Sequence, residues 1–380
     1  MNFTIDRDVL LENLNIISRG LPSKTSMPLL YGIKMEVTSN DIYLTSSDLD
    51  ISIEVMISDK SLEINESGRT VIPGKFFIDI VRKVNSKKIT LTLLEDKQLL
   101  INAERGEYKL NVMNIEDYPN INFLTLENPL NLNVLDIKKI NKETGFATSN
   151  SEKRPVLTGV NLNLLNNNLV CVGTDSYRLA QKKINLDNNY EDFNITVPSK
   201  SLDELTKILD NNDETVNVYF NKSNILIKYK NILFQSRLID GKFPDTSRVI
   251  PNDDNINIRF NKDELIDAVE RVSLLSPHET VKDKEINHST INLNINKDNK
   301  IFIESSNSQI GEANEELVAN EIIGNNDKLS IGFSSKYLLD ALRSFDDIEI
   351  EMCINSPRAP FLIKGTSTNN LIQVILPVNL

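Results

Sequence analysis

The chain has 380 residues, 40% hydrophobic and 25% charged, with a formal net charge of −12. That length exceeds one ordinary core and suits two or three domains, and no apolar run approaches the roughly 18 residues a membrane helix needs. The acidic surplus argues against a protein that grips nucleic acid by bulk phosphate neutralisation, although it leaves local basic faces open.

The N-terminus, "MNFTIDRDVLL", lacks the basic start and apolar core of a secretory signal, so a cytoplasmic chain is expected. From Phe3 the pattern "FTIDRDVLLENLNII" predicts a strand feeding a short helix, followed by alternating strands. "VIPGKFFIDIVRKV" from Val71 then predicts a helix headed by Lys75, and "KITLTLL" begins a second set of strands that ends near Tyr118-Pro119. The same order returns with "LNVLDIKKINKETGFA", the helix of "TVPSKSLDELTKIL", the strands "TVNVYF" and "ILIKYK", and Phe243-Pro244. It returns once more with "IRFNKDELIDAVERVSLL", "IGFSSKYLLDALRSF" and "IEIEMCI". The helix-heading lysines, Lys75, Lys200 and Lys336, are 125 and 136 residues apart, one domain length each time. Polar and Pro-containing junctions near "LENPLN" and "PNDDN" divide the chain into domains at 1–126, 127–253 and 254–380. The expected class is α+β, with three repeats of antiparallel sheet and two helices each.

A helix position seven residues on returns to within about 20° of its start. Arg82, Lys207 and Arg343 therefore share a face with Lys75, Lys200 and Lys336. Phe77, Ile80, Val81 and Val84 in the first helix, Leu202, Leu205 and Leu209 in the second, and Leu338, Ala341, Leu342 and Phe345 in the third point the other way, toward a sheet. Asp79, Glu204 and Asp340, four residues after the lysines, suit i,i+4 ion pairs on an ordinary wet face. Recurrence of both cations in all three helices points instead to a shared anionic surface.

Catalytic apparatus is not visible. Gly74-Lys75 and Gly241-Lys242 lack the rest of a phosphate-cradling loop, and His278 and His288 make no zinc spacing. Cys171 and Cys353 lie in apolar strand-like runs and read as reduced core thiols. A metal site on Asp48, Asp50 and Asp175, as in a nuclease or phosphatase, competes with a plainer reading. Ser47-Asp48, Thr174-Asp175 and Ser306-Asn307 occupy the same place in their repeats, as Asx-type turns would. The repeats thus account for "TD" in "VGTDSYRLA", and leave Tyr177, Arg178 and Leu179 as the departure of the middle copy. A three-domain scaffold that binds only proteins is a further alternative.

Along the whole chain, "MPLLYGIKMEV", "IPGKFFIDIVRK", "RPVLTGVNL", "VGTDSYRLA", "LIDGKFPDTSRVIP", "IGFSSKYLLDAL" and "VILPVNL" resemble the bacterial sliding clamp family, the beta subunit of the replicative DNA polymerase. The resemblance implies the DNA clamp fold and a head-to-tail homodimeric ring of six like domains around duplex DNA. It implies a non-enzymatic processivity factor without cofactors that tethers the replicative polymerase, the clamp loader and repair proteins. Because a ring holds DNA by topology, an acidic exterior then conflicts with nothing. DNA-facing residues would be Lys24, Lys75, Arg82, Arg154, Lys200, Lys207, Lys336 and Arg343. A hydrophobic groove for partner peptides would be made by Leu157, Thr174, Ser176, Tyr177, Arg178, Leu179, Pro244, Arg248, Val249, Ser334, Tyr337, Pro360, Val374, Ile375, Leu376, Pro377, Val378 and Leu380. Ser176-Tyr177 stands where some relatives have Gly-His. The subunit interface would pair the edge strand "EYKLNV", with Tyr108 and Leu110, against "SLLS", with Leu274 and Leu275.

Overall fold

A computed structural model of the chain describes residues 1–125, 127–251, 255–276, 278–280, 287–296, 298–324, 329–367 and 369–378. The expected helices form: α1 (Arg7–Ile17) and α2 (Gly74–Lys83) in the first repeat, α3 (Val134–Thr144) and α4 (Ser199–Ile208) in the second, α5 (Lys262–Ser273) and α6 (Ser335–Ser344) in the third. Caps set their starts. Asp6 accepts a hydrogen bond from the Asp8 amide at α1, Asn261 from those of Asp263 and Glu264 at α5, and Ser334 from that of Tyr337 at α6. On α5, Leu265, Ala268, Val269 and Val272 recur at i, i+3, i+4 and i+7, which turns one stripe to the core. On α2 the buried stripe is Phe77, Ile78 and Val81, with Val84 just beyond, so Ile78 takes the place expected of Ile80, which is only half-buried.

Sheet membership is where the structure departs from a repeat-by-repeat picture. The strands Ile51–Ile57 and Ile232–Arg237 pair antiparallel, which joins the first half of repeat one to the second half of repeat two in an eight-stranded sheet. Arg178–Asn185 and Leu371–Ile375 pair in the same way and join repeats two and three in a nine-stranded sheet. Two five-stranded sheets remain, in which Gly106–Asn111 and Gly311–Leu317 are outer strands. By contact density the chain accordingly falls into two units, Met1–Ile137 with Lys200–Leu238, and Lys138–Ser199 with Ile239–Leu380. The middle repeat is divided between them. The boundaries expected from sequence fall at Leu126 and within 252–254, outside the described residues.

Candidate functional site

The turn in "VGTDSYRLA" is built by its Asp. Asp175 Oδ1 accepts hydrogen bonds from the amides of Tyr177 (2.8 Å) and Arg178 (3.0 Å), and Thr174 Oγ1 donates to the Arg178 carbonyl at 2.6 Å. In repeat one, Asp48 Oδ1 takes the amides of Asp50 (3.1 Å) and Ile51 (2.7 Å), and Ser47 donates to the Ile51 carbonyl at 3.1 Å. In repeat three, Asn307 Oδ1 accepts the Gln309 amide at 3.0 Å. Leu49 and Ser176, at the same turn position, both have positive φ, 77° and 79°. These are Asx turns in which Oδ1 is taken up by backbone amides. Among the described residues no three His, Cys, Asp or Glu are grouped to hold a metal. The side chains of His278 and His288 lie outside the described set.

Arg178 turns inward. Its guanidinium pairs with Asp175 Oδ2 (3.0 Å) and Asp340 Oδ2 (2.7 Å), donates to the Phe146 carbonyl (2.6 Å) and lies 4.4 Å from the Tyr337 ring centroid. Burial, reinforced by the negative charge of Asp175, pushes the Tyr337 phenol up from its ordinary pKa. Arg178 is thus a buried brace between the turn, the residues after α3 and α6, whereas sequence analysis set it in the groove wall. Just before the turn, a Cβ on Gly173 would lie 2.2 Å from the Thr144 carbonyl oxygen, so the strand passes the end of α3 only without a side chain.

Beside this brace a small apolar cluster stands apart from the main core of repeat three: Leu157, Val172, Leu179, Phe243, Cys353, Leu362 and Val374, with Val156, Val170 and Ile250 packed on it. Both cysteines are buried thiols, not joined in a disulfide. Within three residues of the cluster's members along the chain are exposed Ser176, Pro244, Arg248 and Val249, exposed Tyr177 (38%), and half-buried Pro360. The C-terminal segment runs along it. The Leu376 amide donates to the Tyr177 carbonyl at 2.9 Å and the Val378 amide to the Gly332 carbonyl at 2.8 Å, while Leu376, Pro377 and Val378 stay half-buried. Thr174, Ser334, Tyr337 and Ile375 are buried, Ser334 as the α6 cap. Leu380 lies outside the described residues. Sequence analysis missed Val172, Phe243, Cys353 and Leu362. The equivalence of Phe243-Pro244 with Tyr118-Pro119 was the available signal for one of them.

The matching junction in the other unit is polar. Register places Ser52 opposite Gln235 there, where Leu179 faces Val374 here. Gln235 Oε1 accepts the Leu124 amide (2.9 Å), its Nε2 donates to the Asn122 carbonyl (3.0 Å), and Ser236 donates to Ser201 Oγ at 2.7 Å. The chain's own segment therefore occupies that sheet face.

Lys24, Lys75, Arg82, Arg154, Lys200, Lys207, Lys336 and Arg343 are all exposed. The expected i,i+4 pairs form only at Lys336–Asp340, 2.6 Å. Asp79 pairs instead with Arg82 (3.1 Å), Glu204 with Lys207 (2.8 Å) and Arg19 (3.1 Å), and Lys200 reaches Asp48 at 3.1 Å. Burial works against ionised Glu204, but hydrogen bonds from Lys207 and Arg19 hold its carboxyl below the usual range.

Tyr108 is exposed and Leu110 half-buried on the outer strand Gly106–Asn111. "SLLS" is not a strand. It closes α5, with Leu274 as an exposed C-cap and Leu275 half-buried, so it offers no ladder to pair. The outer strand of that sheet is Gly311–Leu317.

Comparison with known proteins matches family models of the DNA polymerase III beta subunit along the chain: N-terminal domain at residues 1–122, central domain at 131–245, C-terminal domain at 247–379. The beta sliding clamp of Staphylococcus epidermidis is 36% identical, covering 100% of this chain and 99% of that protein. The DNA polymerase sliding clamp of Bacillus subtilis superposes with a TM-score of 0.93 at 34% identity, covering 100% of this chain and 99% of the other. The DNA polymerase III beta chain of Streptococcus pneumoniae does so with a TM-score of 0.94 at 34% identity over 100% of both chains.

Proposed function

The chain belongs to the DNA polymerase III beta subunit family, and from that membership we propose how its parts serve a sliding clamp. The protein is a processivity clamp of DNA replication. In our reading it has no catalytic role, acts in the cytoplasm and closes as a head-to-tail homodimer around duplex DNA. Its three clamp domains are taken as 1–126, 127–253 and 254–380. Among the described residues no helix is long and apolar enough to cross a membrane.

The partner site is the apolar cluster around Leu157, Leu179 and Val374 together with its rim, Ser176, Tyr177, Pro244, Arg248, Val249, Pro360 and Leu376 to Val378. The observation that carries this reading is an apolar cluster outside the repeat core whose chain neighbours Tyr177, two residues before Leu179, and Val249, next to Ile250, are exposed. Burying two large apolar side chains of a peptide there contributes about 3 to 6 kcal/mol before ordering costs, which suits exchangeable partners such as the replicative polymerase, the clamp loader and repair proteins. Arg178, Thr174, Ser334 and Tyr337 shape the site from behind. Lys24, Lys75, Arg82, Arg154, Lys200, Lys207, Lys336 and Arg343 are the proposed phosphate contacts.

The test is topological. Protein loaded on nicked circular DNA should stay bound through gel filtration and be lost once the circle is cut. Equal retention on both forms would refute encirclement.

A further inference from the structure

The repeats call for three strand junctions, and two are built within the chain: Ile51–Ile57 with Ile232–Arg237, and Arg178–Asn185 with Leu371–Ile375. The strands left over by this pattern are Gly311–Leu317 and Gly106–Asn111, each the outer strand of its sheet. At both built junctions the lysine-headed helix of the later repeat touches the Asx turn of the earlier one. Lys200 Nζ lies 3.1 Å from Asp48 Oδ2, and Tyr337 and Asp340 meet Arg178 at 4.4 Å to the ring centroid and 2.7 Å. The position after the lysine is buried in both cases, Ser201 at 2% exposure and Tyr337 at 9%.

Helix α2 has no earlier repeat in its own chain. Its matching residue, Phe76, is 65% exposed beside Lys75. The Asx turn with no following repeat is that of Asn307, and Ile310 on it is also 65% exposed. Both apolar side chains sit where the repeat has already shown a contact, and each lacks the other half.

We propose that Phe76 of one copy packs on the Asn307 turn of a second copy, against its Ile310, as Tyr337 packs on the Asp175 turn. This rests on the head-to-tail homodimer proposed above and names the contact that closes it. The internal registers support the placement. Ser52 faces Gln235 and Leu179 faces Val374, and the equivalent positions of the open strands are Glu312 and Lys109. Opposite charges thus meet across the joint, and the next pair sets Tyr108 against Ala313, large against small. Aromatic side chains, Phe among them, are enriched at interfaces relative to the rest of the surface.

The experiment uses the full chain and measures dimer dissociation by sedimentation, with thermal melting as a check on folding. Phe76→Ser, which installs the residue that α4 carries, should weaken the dimer about tenfold to a hundredfold, the effect of one apolar side chain. Ile310→Ser should do the same, and the double variant should lose less than the sum because both remove one contact. A disulfide between Lys109→Cys and Glu312→Cys reports the ring independently. If it forms while Phe76→Ser dimerises as tightly as the unmodified chain, the Phe76 contact is wrong and the ring stands. If neither the disulfide nor a dimer forms, the head-to-tail reading falls and the contact with it.

Discussion

Arg178 and Tyr177 are neighbours with opposite duties. Arg178 is buried, and its charge is balanced by Asp175 and Asp340, 3.0 and 2.7 Å away. Arg178→Met removes the cation, strips Asp175 Oδ2 of its guanidinium partner and leaves Asp340 to Lys336 alone, a loss of up to about 3 to 5 kcal/mol for a broken buried network. Its melting temperature should fall clearly, and peptide affinity should fall with it because the Tyr177 carbonyl holds the C-terminal segment. Tyr177→Ala touches exposed surface, so stability should move by no more than about 0.5 kcal/mol while a partner peptide binds less tightly. Equal effects of the two variants on melting would contradict this division. Sequence reading grouped Tyr177, Arg178 and Leu179 as one wall because the repeat comparison marks all three as departures. It could not separate them, since Asp340 stands 162 residues away and nothing local announces a buried arginine.

Among the elements, the two sheet-joining strand pairs share a register and differ in what they bury. Ser52 and Gln235 occupy one junction, with Gln235 tied to the segment at Asn122 and Leu124; Leu179 and Val374 occupy the other and join an apolar cluster. Exchanging the second pair for the first, Leu179→Ser with Val374→Gln, should keep the strand ladder and remove the apolar floor. Partner-peptide affinity measured by fluorescence anisotropy should drop at least about tenfold, since each lost apolar anchor is worth about 1.5 to 3 kcal/mol. Unchanged affinity in a folded variant would move the site elsewhere. The strands themselves were legible from alternation, and the helices from their apolar stripes. Their partners across repeats were not, because a period of two says which face is buried and not which strand lies alongside. The same limit explains "SLLS": read from resemblance as a segment that pairs with an edge strand, it closes α5 instead, with Leu274 exposed as the C-cap and Leu275 half-buried, so its leucines can meet a partner only as side chains of a helix end.

For the whole molecule, the question is how a chain of net charge −12 works on DNA. Several proposed phosphate contacts already hold carboxylates: Arg82 with Asp79 at 3.1 Å and Lys207 with Glu204 at 2.8 Å. A cation so paired must exchange one anion for another, which keeps each phosphate contact shallow and suits a ring that slides. Neutralising the acids tests this. Asp79→Asn with Glu204→Gln frees Arg82 and Lys207 on the helix faces, and Arg19 beside them, without adding a cation, so affinity for short linear duplex should rise and its log–log salt dependence should steepen by about 0.9 for each of the two helix cations that gains a phosphate. Diffusion along DNA, followed on single molecules, should slow in the same variant. Arg82→Glu with Lys207→Glu should act in the opposite direction, weakening contact and impairing loading. If the acid variants leave both salt slope and diffusion where they were, these helix faces do not meet the duplex. The charge of the chain would then have to be explained by partners that do not include the phosphates.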